Sequence, residues 1–579
     1  MASEPHRFYR VLDHALGEFF PAPFREVVSK WIPLSVLVGT AVGLMVVAFQ
    51  YALQLVGWVF DPTRVPWYLI FLFPAAGGLL VGLIIPHFAQ ETAGQGMDEV
   101  IRAVHFEGGR IRSIVPPVKI LVSALTIGSG GSAGPEGPVG EIGAGAASIM
   151  GGWLHLRRGD LRTLVIAGAA AGFGAIFKAP LGGALFALET PYKNDMEHGA
   201  VVPALISSTT AYFIFVLFFG TAPIFGFLAP QPFPGIADLG LYLLLGLLSG
   251  LVATLFVKVF FRVSDVFARA SLPFWAKTTL GGLGAGALAV CFPQVLGLGY
   301  DWDRTLVASG AQAAIVAGQV LFGVGVLLVV FAAILAVKAL ATSLTIGSGG
   351  SGGVMTPSIF LGGTLGAVVG LVVGLVFSYP SPATLVVVGM GAVLAAGTKT
   401  PISSAIIITE MTGGYTVLIP LILATVVAYT VAGENTLYQA QITRKSLPLD
   451  LGALSGKSVR DVMTKPVEFL SPELSVEEAY KRVATRGHYS YPVVDPDGRI
   501  IGIVYRKGIL DAQKTSPKSR IRRLLQTHYE VINDDAPAVE AFEVMNGMQV
   551  TRMYAVDGNQ RLVGVLTRFD LLRAMDALE

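Results

Sequence analysis

LTIGSGGSAGPEGP spans Leu125–Pro138, and LTIGSGGSGGVMTP spans Leu344–Pro357. The first eight residues of the two stretches are identical, each lies within apolar sequence, and each is followed by proline within six residues. A glycine-rich break at membrane depth, made twice, implies two halves sharing one pore. The match extends outward, because Lys119 and Lys338 precede the two loops by the same interval. Farther on, GAAAGFGAIFKAPLGGALFALE (Gly168–Glu189) aligns with GMGAVLAAGTKTPISSAIIITE (Gly389–Glu410). Lys178 then matches Lys399, Pro180 matches Pro401 and Glu189 matches Glu410. Transporters built from two related halves hold their substrate near the bilayer midplane, where broken helices point backbone N–H groups at anions. The duplication therefore predicts both the place and the sign of the ligand.

The 579 residues are 53% hydrophobic and only 14% charged, with a mean hydropathy of +0.65, which is the composition of a polytopic membrane protein. A span of roughly 20 apolar residues crosses a bilayer core, and Trp31–Phe60, Val65–Ile85, Val201–Phe219, Leu239–Phe260 and Leu321–Leu344 are long enough. Shorter apolar pieces divided by Gly and Pro lie between them, as broken or tilted helices require. A net charge of +2 excludes a nucleic-acid footprint of the usual kind. The opening MASEPHRFYRVLDHALGEFF lacks the apolar core and cleavage site of a secretory signal, so residues 1–30 are expected to be retained as a cytosolic segment. Cys291 is the single cysteine; it can form no internal disulfide, and a packing role is expected.

From about Leu447 charged residues become frequent, apolar runs shorten to strand length, and the turn signals Asp497-Gly498 and Asp557-Gly558 appear. A linker over 446–457 and a soluble α+β region follow. That region is itself duplicated: VRDVMTKPVEFLSPELSVEEAYKRV and YPVVDPDGRIIGIVYRKGIL are echoed by IRRLLQTHYEVINDDAPAVEAFEVM and MYAVDGNQRLVGVLTRFDLL. Each unit reads as a helix, paired strands around an Asp-Gly turn, and a short helix, about 458–515 and 520–579. The pattern resembles a tandem pair of CBS domains. In that family a Ser/Thr-x-x-Asp step lets the Asp hold a ribose while the hydroxyl meets phosphate. By this resemblance Thr567 and Asp570 are candidate adenine-nucleotide residues, whereas the first unit has Tyr505-Arg506-Lys507-Gly508 and lacks the acid. The alternative is a dimerising, stabilising appendage.

The GSGGS loops are not phosphate cradles, since neither is followed by Gly-Lys-Ser/Thr. Close helix packing explains many glycines. It does not explain why they cluster with Pro135, Pro138 and Pro357 around a carboxylate, Glu136. An acid at membrane depth is kept where it faces water, an ion path or a partner. Near a helix start, Glu136 can offer its oxygen to the N–H groups that would otherwise bind an anion, competing with that anion until protonation releases it. Its bland alternative is a structural cap.

GPEGP, GGVMTP, the KAPLGGALFALE and KTPISSAIIITEMTG pair, and Tyr438 in Gly433-Glu434-Asn435-Thr436-Leu437-Tyr438 together resemble the CLC chloride channels and transporters over about residues 30–445. The resemblance implies an all-α membrane domain over 31–445 with two inverted helical repeats, about 31–230 and 235–445, and a homodimer with one anion pathway per subunit. It implies Glu136 as gate and proton acceptor. It places Gly353, Val354 and Met355, together with Gly96, Gly134 and Pro135, around the anion, with the Tyr438 hydroxyl at the inner side.

Two departures from that pattern matter. Gly94-Gln95-Gly96-Met97-Asp98 carries Gln95 where most members place a serine on the central anion; its amide donates but also presents an acceptor, which leaves preference among anions open. Proton-coupled members carry an inner relay glutamate where this chain has Thr190, which cannot ionise; Glu189, one residue away, is an alternative relay. Glu141 is read as a helix-end charge. Lys119, Lys338, Lys178 and Lys399 are expected to pair with Glu189, Glu410 and helix carboxyl ends, and to add positive potential. No nucleophile–base set, Cys/His metal cluster or nucleotide-hydrolysis motif points to an enzyme, and no cofactor is required. The resulting expectation is chloride transport gated by Glu136, with Thr190 tipping the reading toward a voltage- and pH-gated passive channel. The alternatives are a chloride/proton antiporter and a membrane-anchored nucleotide sensor.

Overall fold

The computed structural model describes residues 27–226, 236–309, 324–376 and 382–443, and, toward the C-terminus, 454, 456–483, 488, 490–527, 529–547 and 550–576. Most of the expected cytosolic segment 1–30, the boundary between the halves near 231–235 and most of the linker 446–457 lie outside the described residues. The chain divides into two compact units, Met1–Lys445 and Ser446–Glu579.

The first unit is all-helical and consists of two inverted halves. The first half comprises α1 (Ile32–Val59), α2 (Leu72–Phe88), α3 (Met97–His105), α4 (Val115–Gly128), α5 (Glu136–Trp153), α6 (Arg158–Ile176), α7 (Pro180–Glu189) and α8 (Val201–Phe219). The second repeats this order as α9 (Ile236–Arg269), α10 (Phe274–Cys291), α11 (Tyr300–Ser309), α12 (Val324–Gly347), α13 (Met355–Val376), α14 (Pro382–Thr398), α15 (Pro401–Thr412) and α16 (Leu418–Ala432). Eight helices among the described residues are long and apolar enough to cross a membrane. The expected run from Val65 begins its α-helix only at Leu72, because Pro66 and a short 3₁₀ turn over Trp67–Leu69 precede it.

The short helices arise where the sequence breaks them. Lys178 and Lys399 adopt left-handed φ values of 50° and 61° and end α6 and α14, after which Pro180 and Pro401 open α7 and α15. Proline suits a first helical turn and keeps its predecessor out of the helical region, as at Ala179 (φ -131°, ψ 75°) and Thr400 (φ -129°, ψ 66°). Glycines bring helices close: a Cβ on Gly143 or Gly168 would lie 2.1 or 2.2 Å from the other residue's carbonyl oxygen, and Gly362 and Gly389 cross alike. The resulting α5/α6 and α13/α14 pairs form the most deeply buried part of the unit. Cys291, at the end of α10, is exposed; the expected packing role is not what the fold gives it, because the residue lies on the outer side of its helix end.

In the second unit, α17 (Val459–Val462), α18 (Val476–Val483), β1 (Ser490–Val494), β2 (Ile500–Tyr505) and α19 (Arg506–Thr515) form the first repeat. β3 (Val531–Asn533), α20 (Ala538–Gly547), β4 (Arg552–Val556), β5 (Leu562–Thr567) and α21 (Arg568–Asp576) form the second. β1 pairs with β2 and β4 with β5 in antiparallel register, and β3 runs parallel to β4. The two hairpins turn at equivalent aspartates: Asp495 N–H donates to Arg499 O, and Asp557 N–H donates to Arg561 O. The two Asp-Gly dipeptides are nevertheless not equivalent. Gly498 takes the left-handed position of the first turn, whereas Gln560, not Gly558, takes it in the second, with φ of 63°.

Candidate functional site

The two glycine breaks meet. Gly134 N–H donates to Gly353 O at 2.8 Å and Gly353 N–H donates back to Gly134 O at 2.6 Å, so each residue is bonded to its own repeat-mate in an antiparallel pair and the axis relating the halves passes between them. The hydroxyls around the crossing obey the same axis. Ser132 N–H donates to Thr345 Oγ1 and Ser351 N–H to Thr126 Oγ1, each at 3.1 Å. Ser123 Oγ lies 2.9 Å from Ser351 Oγ, as Ser132 Oγ does from Thr342 Oγ1. These are buried polar groups satisfied across the interface rather than within one half.

The crossing brings the amino termini of α5 and α13 together around Glu136, which is fully buried. Pro135 is the cap residue of α5. Glu136 Oε1 accepts from Thr356 N–H at 3.0 Å and Oε2 from Thr356 Oγ1 at 2.9 Å, and the Met355 amide also faces the carboxylate. The carboxylate occupies space that side chains would otherwise fill. A Cβ on Gly134 would lie 2.0 Å from Oε2, and one on Gly353 would lie 2.4 Å from Oε1. Both N–H groups and the positive ends of the helix dipoles favour negative charge here. Val354 is buried between Gly353 and Met355.

A third segment completes the crossing. Gly94 N–H donates to Gly350 O and Gly352 N–H to Gly94 O, each at 3.1 Å, and the Gln95 carbonyl oxygen would sit 2.0 Å from a Cβ on Gly137. Gly96, with φ of 82°, opens α3. Gln95 Nε2 donates to Asp98 Oδ2 at 2.7 Å and to Leu437 O at 2.6 Å, so both of its amide protons are committed to protein acceptors. Tyr438 is buried, its own N–H donating to Thr436 Oγ1 at 3.1 Å. The counterpart of Gly94-Gln95-Gly96-Met97-Asp98 is Gly297-Leu298-Gly299-Tyr300-Asp301, a repeat that sequence reading missed. Lys119 Nζ donates to Thr92 O at 3.0 Å and lies 3.5 Å from Gly94 O. Lys338 Nζ donates to Val295 O and Gly297 O, each at 3.1 Å. Tyr300 is carried by this repeat: its hydroxyl is 3.2 Å from Thr356 Oγ1, which is itself bonded to Glu136.

The remaining charges are arranged differently from expectation. Glu141 is not a helix-end charge: it lies one and a half turns inside α5, fully buried, in an ion pair with Lys119 at 2.8 Å. Lys178 and Lys399 do meet helix carboxyl ends, at Phe219 O (2.9 Å) and Tyr429 O (3.3 Å), but neither pairs with Glu189 or Glu410. Those acids cap helices across the halves. Glu189 accepts from Ile402 N–H, Ser403 N–H and Ser403 Oγ at the start of α15, and Glu410 accepts from Leu181 and Gly182 N–H at the start of α7. Thr190 is buried, its hydroxyl donating to Phe186 O at 2.6 Å and its carbonyl accepting from Gln441 Nε2 at 2.8 Å.

In the second unit, Asp570 accepts from Thr567 N–H and Oγ1 and from Thr464 Oγ1, at 2.8, 2.6 and 2.8 Å. Both residues line a cavity of about 160 Å³ with Thr464, His488, Arg552 and Tyr554.

These features define a polytopic membrane protein of inverted-repeat design, with a carboxylate held by helix amino termini where its two broken segments cross. The chain belongs to the voltage gated chloride channel family, whose model matches residues 77–433, and CBS domain models match 459–515 and 521–577. The ClcB-like protein of Ralstonia nicotianae is 32% identical over 426 residues, covering 70% of this chain and 95% of that protein. The H(+)/Cl(-) exchange transporter ClcA of Yersinia pseudotuberculosis is 31% identical over 453 residues, 72% of this chain and 90% of that protein. The crystal structure of a eukaryotic CLC transporter superposes with a TM-score of 0.63 at 19% identity, over 94% of this chain and 98% of that one.

Proposed function

We propose that this protein moves chloride across the membrane in exchange for protons, with Glu136 as the group that both blocks the anion path and carries the proton. The observation that carries the reading is the buried Glu136 carboxylate, taking the Thr356 amide and hydroxyl in space left by Gly134 and Gly353. Those are the donors a halide would use. A carboxylate that departs on protonation vacates them, so anion entry and proton uptake are alternatives at one place. Gly96, Pro135, Val354, Met355 and Tyr438 belong to the same anion path in this reading.

The sequence expectation of a passive channel rested on Thr190. The comparisons favour its alternative, since the relative at 31% identity is named an H(+)/Cl(-) exchange transporter. Thr190 then means that the proton's route beyond Glu136 does not use a carboxylate at that position. The working form is a homodimer with residues 1–30 and the CBS pair in the cytosol, and an adenine nucleotide at Thr567 and Asp570 is a regulator rather than a requirement. No enzymatic step is part of this reading.

Purified protein in liposomes tests it, with voltage clamped by a potassium ionophore and external chloride and pH recorded together. The expected result is chloride flux that drives protons uphill. Chloride flux without proton movement leaves a passive channel, and no flux removes transport altogether and favours the membrane-anchored sensor.

A further inference from the structure

The two halves are not symmetric where they touch the gate. Thr356, the second residue of α13, corresponds to Gly137 of α5, so only the second half places a hydroxyl at this point. Tyr300, the first residue of α11, corresponds to Met97 of α3, so only the second half supplies a donor behind that hydroxyl. The bond directions follow from the number of protons. The Thr356 hydroxyl has one proton, and the carboxylate of Glu136, an acceptor only, takes it at 2.9 Å. The contact between Tyr300 Oη and Thr356 Oγ1 at 3.2 Å must then run from tyrosine to threonine. Tyr300, Thr356 and Glu136 thus form one directed chain ending on a charged acceptor, and each link polarises the next. Burial removes competing water: Thr356 and Glu136 are fully buried.

We propose that Tyr300 and Thr356 are positioning residues for the gate: together they latch Glu136 in its ionised, docked state and set the pH at which the anion path opens. The latch rests on the assignment of Glu136 as gate and proton acceptor. Protonation of the carboxyl discharges the acceptor on which the directed chain ends and weakens the bonds it receives, so the hydroxyls hold Glu136 less tightly once it takes up a proton. Other charged or titratable groups lie around this chain: Lys338 on α12 and Tyr438 interact with Glu136, Asp303 and Arg304 on α11 with Tyr300, and Asp98 with Tyr438. The substitutions below leave all of these unchanged.

The test is the pH profile of chloride flux in liposomes containing the full chain, as wild type, Thr356→Val, Thr356→Ser and Tyr300→Phe. Valine keeps the shape of threonine without the hydroxyl. A hydrogen bond to a charged group is strong enough to move a half-maximal pH by about one unit, so Thr356→Val is expected to raise the half-maximal pH by about that much. Tyr300→Phe shifts it in the same direction by less, and Thr356→Ser restores the wild-type profile. Side-chain packing alone would change the maximal flux without moving the midpoint, and would not distinguish valine from serine in this order. Wild-type flux with unmoved midpoints in both Thr356→Val and Tyr300→Phe overturns the latch alone. Absence of flux in the wild type, or flux independent of pH, overturns the function proposed for Glu136 and the latch with it. If Thr356→Val does not fold, the Tyr300→Phe midpoint decides.

Discussion

Glu136 is held by neighbours and not by a fixed cation. Its oxygens take an amide and a hydroxyl of Thr356, and Lys338, whose charge interacts with it, spends its ammonium on the Val295 and Gly297 carbonyls and on the face of Phe360 at 4.9 Å. Helix-terminal N–H groups bind an anion without trapping it in an ion pair, as turnover of chloride requires. Glu136→Ala empties the space between Gly134 and Gly353, so chloride flux should continue while its pH dependence disappears; a pH profile like that of the wild type would remove Glu136 from the gate. A second residue-scale prediction concerns Gln560, which holds the left-handed turn position that Gly498 fills in the first hairpin. Such a conformation costs a side-chain-bearing residue roughly 1–2 kcal/mol, and glycine gives part of this back through its greater freedom in the unfolded chain. Gln560→Gly should therefore stabilise the second CBS repeat by about 0.5–1 kcal/mol, measured as slower hydrogen exchange in β4 and β5. Unchanged or faster exchange would mean that the turn is not strained.

Helices in both units are fastened at their first turns. Glu189 and Glu410 each cap the helix that carries the other, so α7 and α15 hold one another by reciprocal charge-assisted bonds to orphan amides. Removing either leaves two N–H groups without an acceptor, at about 1–3 kcal/mol. Glu189 has the additional Ser403 hydroxyl and is the more buried, so thermal unfolding in detergent should rank Glu189→Ala below Glu410→Ala, and both below wild type; equal melting temperatures for all three would contradict the capping role. In the second unit, the Arg460 guanidinium holds the Asp534 carboxyl below its usual range, and capping bonds from the Ser458 and Ser475 amides do the same for Asp461 and Glu478. A lowered folded-state value adds stability that is complete above the unfolded carboxyl value of about 4 and is lost as pH falls through the lower folded value. Amide protection over Val459–Met463 and Val476–Val483 in the full chain should accordingly hold from pH 7 to about 5 and fall below about 4; protection that rises on acidification would reverse the assignment. Much at this scale was legible in sequence, because the loops, Lys119/Lys338 and Glu189/Glu410 recur in register. Tyr300 escaped because its loop keeps only two glycines and an aspartate of its counterpart. The partner of Glu141 escaped because Lys119 lies on the preceding helix and only packing brings the two together.

At the scale of the whole molecule, the two units draw on different sources of stability. The membrane unit bonds the hydroxyls and amides of its two glycine breaks to one another across the crossing, and its core is a main apolar cluster reaching from Leu34 to Tyr438 with two smaller ones, around Val81 and Val122 and around Ala285 and Val295. The second unit has its own separate cores, one around Val459, Met553 and Leu566 and another around Val476, Tyr491 and Val504. Two relatives are covered over 95% and 90% of their lengths by 70% and 72% of this chain, so proteins about the size of the membrane unit exist without an appended second unit of this kind. Every residue assigned to the anion path, from Gly96 to Tyr438, lies before Lys445, and no hydrogen bond described at Glu136, Gln95 or Thr356 reaches beyond it. A chain ending at Lys445 should therefore fold, enter liposomes and carry chloride with the same proton coupling and the same half-maximal pH as the full chain. A change in maximal flux alone would assign the CBS pair a modulating role on rate. A shifted pH midpoint or lost coupling in a monodisperse truncated protein would show that the second unit helps to build the gate, and would overturn the assignment of gating to Glu136 and its neighbours alone.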